Sequence, residues 1–285
     1  VTTPPPAGVA PIARPAPAIE VDAAQMTYPD GTRALEPVEL RIAPGEFVSL
    51  LGPSGCGKST LLKMMSGLLE PTAGRLRLWE RPVAELDATG HRLGFVFQSP
   101  TLMPWANVQT NVRLPLDLAG TARAEADARV RDALALVGLE AFAGAMPHAL
   151  SGGMQMRASI ARSLVNRPDL LLMDEPFGAL DEITRHRLDA DLLALWQGKG
   201  LTIVFVTHSI QEAVFLSNRV IMMAARPGRV IDEVVIDEPY PRTPEFLMSP
   251  RSSQFAQRLQ QSLLRASGGA GTSAPRMAGA GSAGS

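Results

Sequence analysis

A short apolar run, FVSLL (47–51), opens directly onto GPSGCGKST (52–60). A strand that ends in a glycine-rich loop and passes at once into a helix leaves few folds open. Gly52 to Ser59 fits the pattern G-x-x-x-x-G-K-[ST] in the context it requires, an apolar strand before and a helix after. The glycines let successive backbone N–H groups converge on phosphate oxygens. The helix N-terminus adds roughly half a positive charge. Lys58 can then reach the β- and γ-phosphates, and the Ser59 hydroxyl can hold Mg²⁺. The alternative is a glycine-rich turn with a solvated lysine.

The rest of the chain supplies a frame for such a loop. IEVDAAQMTY and ALEPVELRI read as strands around the turn PDG, and GRLRLW and LGFVFQ as further strands. From Val108 to about Arg167 the apolar spacing turns helical, in RAEADARVRDALALVGL and SGGMQMRASIARSLV. DLLLMDEP returns to strand, EITRHRLDADLLALWQ is helical, and LTIVFVTH is another buried strand. This alternation predicts an α/β fold, a mostly parallel sheet covered by helices. RVIMMAARPGRVIDEVVI reads as two strands turning at Pro227-Gly228, and SSQFAQRLQQSLLRA as a last amphipathic helix. The expected division is a Pro/Ala-rich disordered arm (1–18), a main domain (19–240) with a helical insertion at about 100–167, a helical extension (241–266), and a disordered Gly/Ala/Ser tail (267–285).

Composition narrows the function. Hydrophobic residues make up 46% of the chain, ample for a core. A net charge of −1 lacks the basic excess of a nucleic-acid binder, so no nucleic-acid partner is expected. No apolar run reaches the ~18 residues of a membrane helix. A single cysteine, Cys56, excludes an intrachain disulfide. Its place beside Lys58 and a helix start predicts a thiol disposed to ionise.

Three further positions can join the phosphate loop. LLLMDEP ends a buried strand in Asp174, which puts a carboxylate at the sheet edge where α/β ligands bind. Asp174 can hold Mg²⁺, a hard cation that prefers oxygen. Glu175 can polarise a water for in-line attack on the γ-phosphate. Alternatively, the two acids cap the next turn. His208 closes LTIVFVTH and Gln98 closes LGFVFQ. Each can be an ordinary end-of-strand residue, but in a parallel sheet both share the edge of Gly52 and Asp174. There an amide can ligate Mg²⁺ and an imidazole can donate to phosphate. LSGGMQ, from Leu150, is a second helix start suited to an anion, with Ser151 as its cap.

Taken together, these stretches resemble the ATP-binding subunits of ABC transporters. GPSGCGKST looks like their Walker A motif, LLLMDEP their Walker B, and LSGGMQ their signature motif. GALD from Gly178 looks like the D-loop, Gln98 the Q-loop residue and His208 the switch histidine. The resemblance implies a P-loop NTPase core with an antiparallel β subdomain and an inserted helical subdomain. It implies ATP contacts from Gly52, Pro53, Ser54, Gly55, Cys56, Gly57, Lys58, Ser59 and Thr60, with Tyr28 stacked on adenine. Ser59, Gln98 and Asp174 would hold Mg²⁺; Glu175, His208, Lys58 and Gln98 would serve hydrolysis. It further implies a head-to-tail dimer in which Ser151, Gly152 and Gly153 serve the ATP of the other copy, with Gln155 and Asp181 also among the nucleotide-binding residues.

FQSPTLMPWANVQTNVRLPL is similar to importer subunits, where this segment forms a groove for the membrane partner. HSIQEAVFLSNRVIMMAARPGRV and FGALDEITRHRL look most like the nitrate/sulfonate/taurine branch of bacterial importers. The partners implied are transmembrane permease subunits and, indirectly, a solute-binding protein. The implied location is the cytoplasmic face of the cell membrane. An exporter ATPase is the competing reading, followed by a soluble ABC protein without a transport role. Trp105, in LMPWANV, is either a core aromatic of the helical insertion or an exposed interface anchor.

Overall fold

The computed structural model describes residues 16–268 apart from 179. Most of the expected arm and almost all of the expected tail fall outside the described residues. The chain begins with β1 (Ile19–Thr27), β2 (Arg33–Ile42) and β3 (Phe47–Leu51), then α1 (Lys58–Met65), β4 (Ala73–Leu78), β5 (Arg81–Pro82) and β6 (Leu93–Val96). Three helices follow before the next strand: α2 (Val108–Leu118), α3 (Arg123–Leu136) and α4 (Gly152–Leu164). Then come β7 (Leu170–Asp174), α5 (Glu182–Lys199), β8 (Thr202–Thr207), α6 (Ile210–Leu216), β9 (Arg219–Ala224) and β10 (Arg229–Val235). The described chain closes with α7 (Pro244–Leu247) and α8 (Pro250–Gly268).

Two sheets form among the described residues. One is antiparallel, in the order β2-β1-β4-β5. The other runs β10-β9-β3-β8-β7-β6, parallel from β9 to β6 with β10 antiparallel at its edge. The expected α/β architecture is what the chain adopts.

The unbroken apolar runs of β3, β7 and β8 have a simple cause: both sides of this sheet are covered. Phe47, Leu171, Met173, Ile203 and Phe205 face a core shared with α2, α3, α4 and α5. Their neighbours Val48, Leu50, Leu170, Leu172, Val204 and Val206 face a second core with α1 and the antiparallel sheet. The period-two alternation of a strand thus divides one run between two cores. A third cluster joins Leu51, Val220 and Met222 to Ala213 and Val214 of α6 and Leu259 of α8.

The parallel register sets the site. Leu51 pairs with Thr207, Asp174 with Val206, and Val96 with Met173. The C-terminal ends of β3, β8, β7 and β6 therefore lie along one edge, and the residues following each strand are delivered there.

Candidate functional site

The loop between β3 and α1 is shaped by glycine. Gly57 caps α1 in the left-handed region, with φ of 89°. A Cβ there would stand 2.4 Å from Leu35 Cδ2, so glycine alone fits between loop and β2. It offers no side-chain cap to the first turn of α1, and Lys58, Ser59 and Thr60 of that turn line the cleft beside it. Lys58 is almost fully buried. Its Nζ donates to the Gly52 and Pro53 carbonyls at 2.8 and 3.1 Å, folding the side chain back along the loop.

The Ser59 hydroxyl donates to Asp174 Oδ1 at 2.8 Å. Burial pushes the Asp174 carboxyl above the usual carboxylate range against the opposing Ser59 bond, and Glu175's charge pushes it further. Hydroxyl and carboxylate oxygens side by side, with a carboxylate disfavoured by burial, form a donor set that fits a hard divalent cation.

Just past β7, Glu175 takes a φ of 44°, an uncommon conformation for a residue with a side chain. Its Oε2 lies 3.4 Å from Gln98 Nε2 and 3.4 Å from His208 Nδ1. Gln98 sits two residues beyond β6 and His208 one beyond β8. Three strand ends thus bring an amide and an imidazole to one oxygen of the Glu175 carboxylate.

A cleft of about 520 Å³ joins these parts. Its walls include Tyr28, the loop from Ser54 to Thr60, Gln98 and Glu175. Tyr28 is part-exposed, and its hydroxyl lies 3.3 Å from Thr60 Oγ1. Sequence reasoning missed the remaining wall: Thr32, Arg33, Ala34, Arg226, Pro227 and Gly228. Pro227-Gly228 was legible as a turn, but no local signal ties it to the loop. The contact depends on Gly228, where a Cβ would meet the Cys56 carbonyl at 2.4 Å.

The second helix start stands apart. Ser151, Gly152, Gly153, Gln155 and Asp181 do not line the cleft. Ser151 and Gly152 are exposed, and Ser151 Oγ accepts from Met154 N at the start of α4. Asp181 caps α5 by accepting from Thr184 N. Gln155 turns its amide nitrogen to the Pro147 and Leu150 carbonyls of its own chain.

One expectation is overturned. The Cys56 side chain is 0% exposed, and burial raises its thiol pKa more than Lys58, with Sγ 3.8 Å from Nζ, lowers it. The thiol is a packed apolar group, not an ionised nucleophile. Of the two readings of Trp105, burial in the core is excluded, because the residue is 77% exposed. Its segment is held from inside, because the fully buried Asn111 bonds the backbone of Met103 and Ala106, and Arg162 bonds Pro100 and Thr101.

Comparison with known proteins finds relatives over most of the chain. Residues 35–178 match the family profile "ABC transporter". The chain is 44% identical over 232 residues to a taurine import ATP-binding protein of Rhizobium johnstonii, covering 81% of this chain and 87% of that one. It is 46% identical over 212 residues to a nitrate import ATP-binding protein of Synechococcus elongatus, covering 73% of this chain and 32% of that longer protein. Among solved structures it is similar to a dimeric ATP-binding cassette in a post-hydrolysis state with ADP and phosphate bound. The TM-score is 0.70 at 35% identity, covering 78% of this chain and all of that one.

Proposed function

The chain belongs to the ATP-binding subunits of ABC transporters, and on that premise we propose that it powers an importer of small anionic or zwitterionic solutes of the taurine and nitrate type. The observation that carries the catalytic reading is the meeting of Gln98, Glu175 and His208 beside the phosphate loop.

ATP enters the cleft with its adenine against Tyr28 and its phosphates on Ser54 to Thr60. Lys58 exchanges the Gly52 and Pro53 carbonyls for phosphate oxygens. Ser59, Asp174 and Gln98 are the residues to hold Mg²⁺, which when bound supplies positive charge to the phosphates. Glu175 orients a water and takes its proton. The water oxygen bonds to the γ-phosphorus as the bond to the β–γ bridging oxygen breaks, giving ADP and phosphate. Gln98 and His208 hold the Glu175 carboxylate and face the γ-phosphate.

The exposed start of α4 fits a head-to-tail pair of copies. A second positive helix end can reach phosphate only from the open side of the cleft. Ser151, Gly152, Gly153, Gln155 and Asp181 would then complete the partner copy's site. Exposed Trp105, on a segment braced by Asn111 and Arg162, suits contact with a permease subunit. No helix among the described residues is long and apolar enough to cross a membrane. The likeness to import ATP-binding proteins supports permease subunits as the translocating partners, with a solute-binding protein delivering cargo and this chain on the cytoplasmic face. Residues 19–240 serve as the ATPase domain, with 241–266 as an extension. The placement of α2, α3 and α4 between β6 and β7 supports a helical part at about 100–167.

The test is uptake. Cells lacking this chain should lose ATP-dependent uptake of labelled taurine or nitrate and regain it with the native chain but not with Glu175→Gln. Full uptake of both without the chain would refute the importer assignment.

A further inference from the structure

The turn carrying His208 is closed by bonds that do not involve His208. Thr207 donates its hydroxyl to Glu212 Oε2 and accepts from Ser209 N–H at 2.9 Å. Ser209 Oγ in turn accepts from Glu212 N–H at 3.3 Å, capping α6. His208 lies between these two hydroxyl residues, so the ring of bonds sets the direction in which its imidazole leaves the chain.

Glu212 has a second engagement. Its Oε1 lies 3.5 Å from Arg185 Nε on α5. The same guanidinium donates to the Leu180 carbonyl at 3.0 Å, one residue before Asp181. Asp189 stands against this pair, 2% exposed and with Oδ1 unpartnered. Burial, with the charge of Glu212, pushes its pKa to about 8. Burial raises the Glu212 carboxyl as well, opposed by the Thr207 hydrogen bond and the Arg185 charge, so two buried acids share one guanidinium.

We propose that Glu212 and Arg185 are positioning residues that tie the turn presenting His208 to the Leu180–Asp181 end of α5. This rests on the hydrolytic reading of His208 given above. In the head-to-tail pair Asp181 faces the other copy, so a displacement of the Leu180–Asp181 segment on pairing reaches His208 through the Arg185–Leu180 hydrogen bond, one ion pair and one hydroxyl. Each copy thereby senses its partner at its own catalytic turn.

The experiment uses the purified full-length chain and two readouts, hydrolysis rates and the ring resonances of the histidines in NMR spectra. Loss in His208→Ala identifies the His208 signal. In Glu212→Gln and in Arg185→Gln that signal should shift and broaden, while those of His91 and His148 stay fixed and report an intact fold. Both variants should lower kcat ~10-fold with KM for ATP within about twofold, and the double variant should cost no more than either alone. Thr207→Ser should keep native kcat, and Thr207→Val should lose it as Glu212→Gln does. An unmoved His208 signal in both single variants would overturn the positioning role, as would additive losses in the double variant. Native-rate hydrolysis by His208→Ala would instead overturn the catalytic reading of His208 itself.

Discussion

Ser59 Oγ and Asp174 Oδ1 meet at 2.8 Å although 115 residues separate them. One begins the helix after β3 and the other ends β7, and the strand between them, β8, brings the two ends level. One hydrogen bond thus fastens the start of α1 to the end of β7.

Lys58 and Glu175 should fail in different ways. Lys58→Ala removes the charge that now rests on the Gly52 and Pro53 carbonyls and should lower kcat/KM for ATP at least ~100-fold. Glu175→Gln keeps the size and polar contacts of the side chain but not the base. It should bind ATP, hydrolyse it at least ~100-fold more slowly, and run as a dimer on gel filtration with MgATP. Native-rate turnover by Glu175→Gln would remove the residue from the chemistry.

Cys56 should resist thiol reagents. Its side chain is buried and its pKa raised by that burial. Mass spectrometry after treatment with an alkylating reagent should find the native protein unmodified, with or without ATP. Rapid labelling that ATP blocks would restore the ionised thiol expected from its neighbours in the chain.

Asp189 makes the fold prefer acid. In the unfolded chain such a group titrates near ~3.9; in the folded protein it titrates at about 8. The folded state therefore holds the extra proton between these values. Its contribution to stability is full below about pH 4, is lost as pH rises, and levels off above about pH 8, with a slope of at most about 1.4 kcal/mol per unit. Asp189→Asn should flatten this slope, so its gain in Tm over the native chain should grow from pH 5 to about pH 8. A constant difference across that window would contradict it.

Arg242 closes the far end of α6. Its guanidinium donates to the carbonyls of Val214, Phe215 and Ser217, and to those of Ile236 and Glu238, all within 3.1 Å. Arg242→Ala leaves buried acceptors unpaired and should lower stability by more than about 2 kcal/mol. Arg242→Lys should recover only part, because an ammonium cannot span the fork. A fall in the urea midpoint at unchanged slope is the expected record.

Trp105→Ala should change Tm and basal hydrolysis little, since the exposed ring packs on little of its own chain. Its effect should appear as weaker co-purification with the permease subunits. A large fall in Tm would return the residue to a structural role.

The phosphate loop was legible in the sequence because its donors are consecutive. Backbone N–H groups, the Lys58 charge and the Ser59 hydroxyl come from one short stretch, so spacing alone exposes them. Asp174, Gln98 and His208 were legible for a related reason: an unbroken apolar run marks a parallel strand, and a polar residue at its end must emerge at the ligand edge. The rest depends on segments far apart in the chain. Lys58 and α1 alone suggest an ionised Cys56; Leu35, Met223 and Gly228, from β2, β9 and the turn after β9, enclose the loop around it. The Arg226–Gly228 wall of the cleft and the Arg185–Glu212 tie arise from the same kind of long-range contact. Trp105 could be core or surface by pattern; Asn111 and Arg162 decided it by holding the segment with the ring outward. Local sequence fixes chemistry that is built from neighbours, whereas burial is a property of everything packed around a group, and only the tertiary structure assigns it.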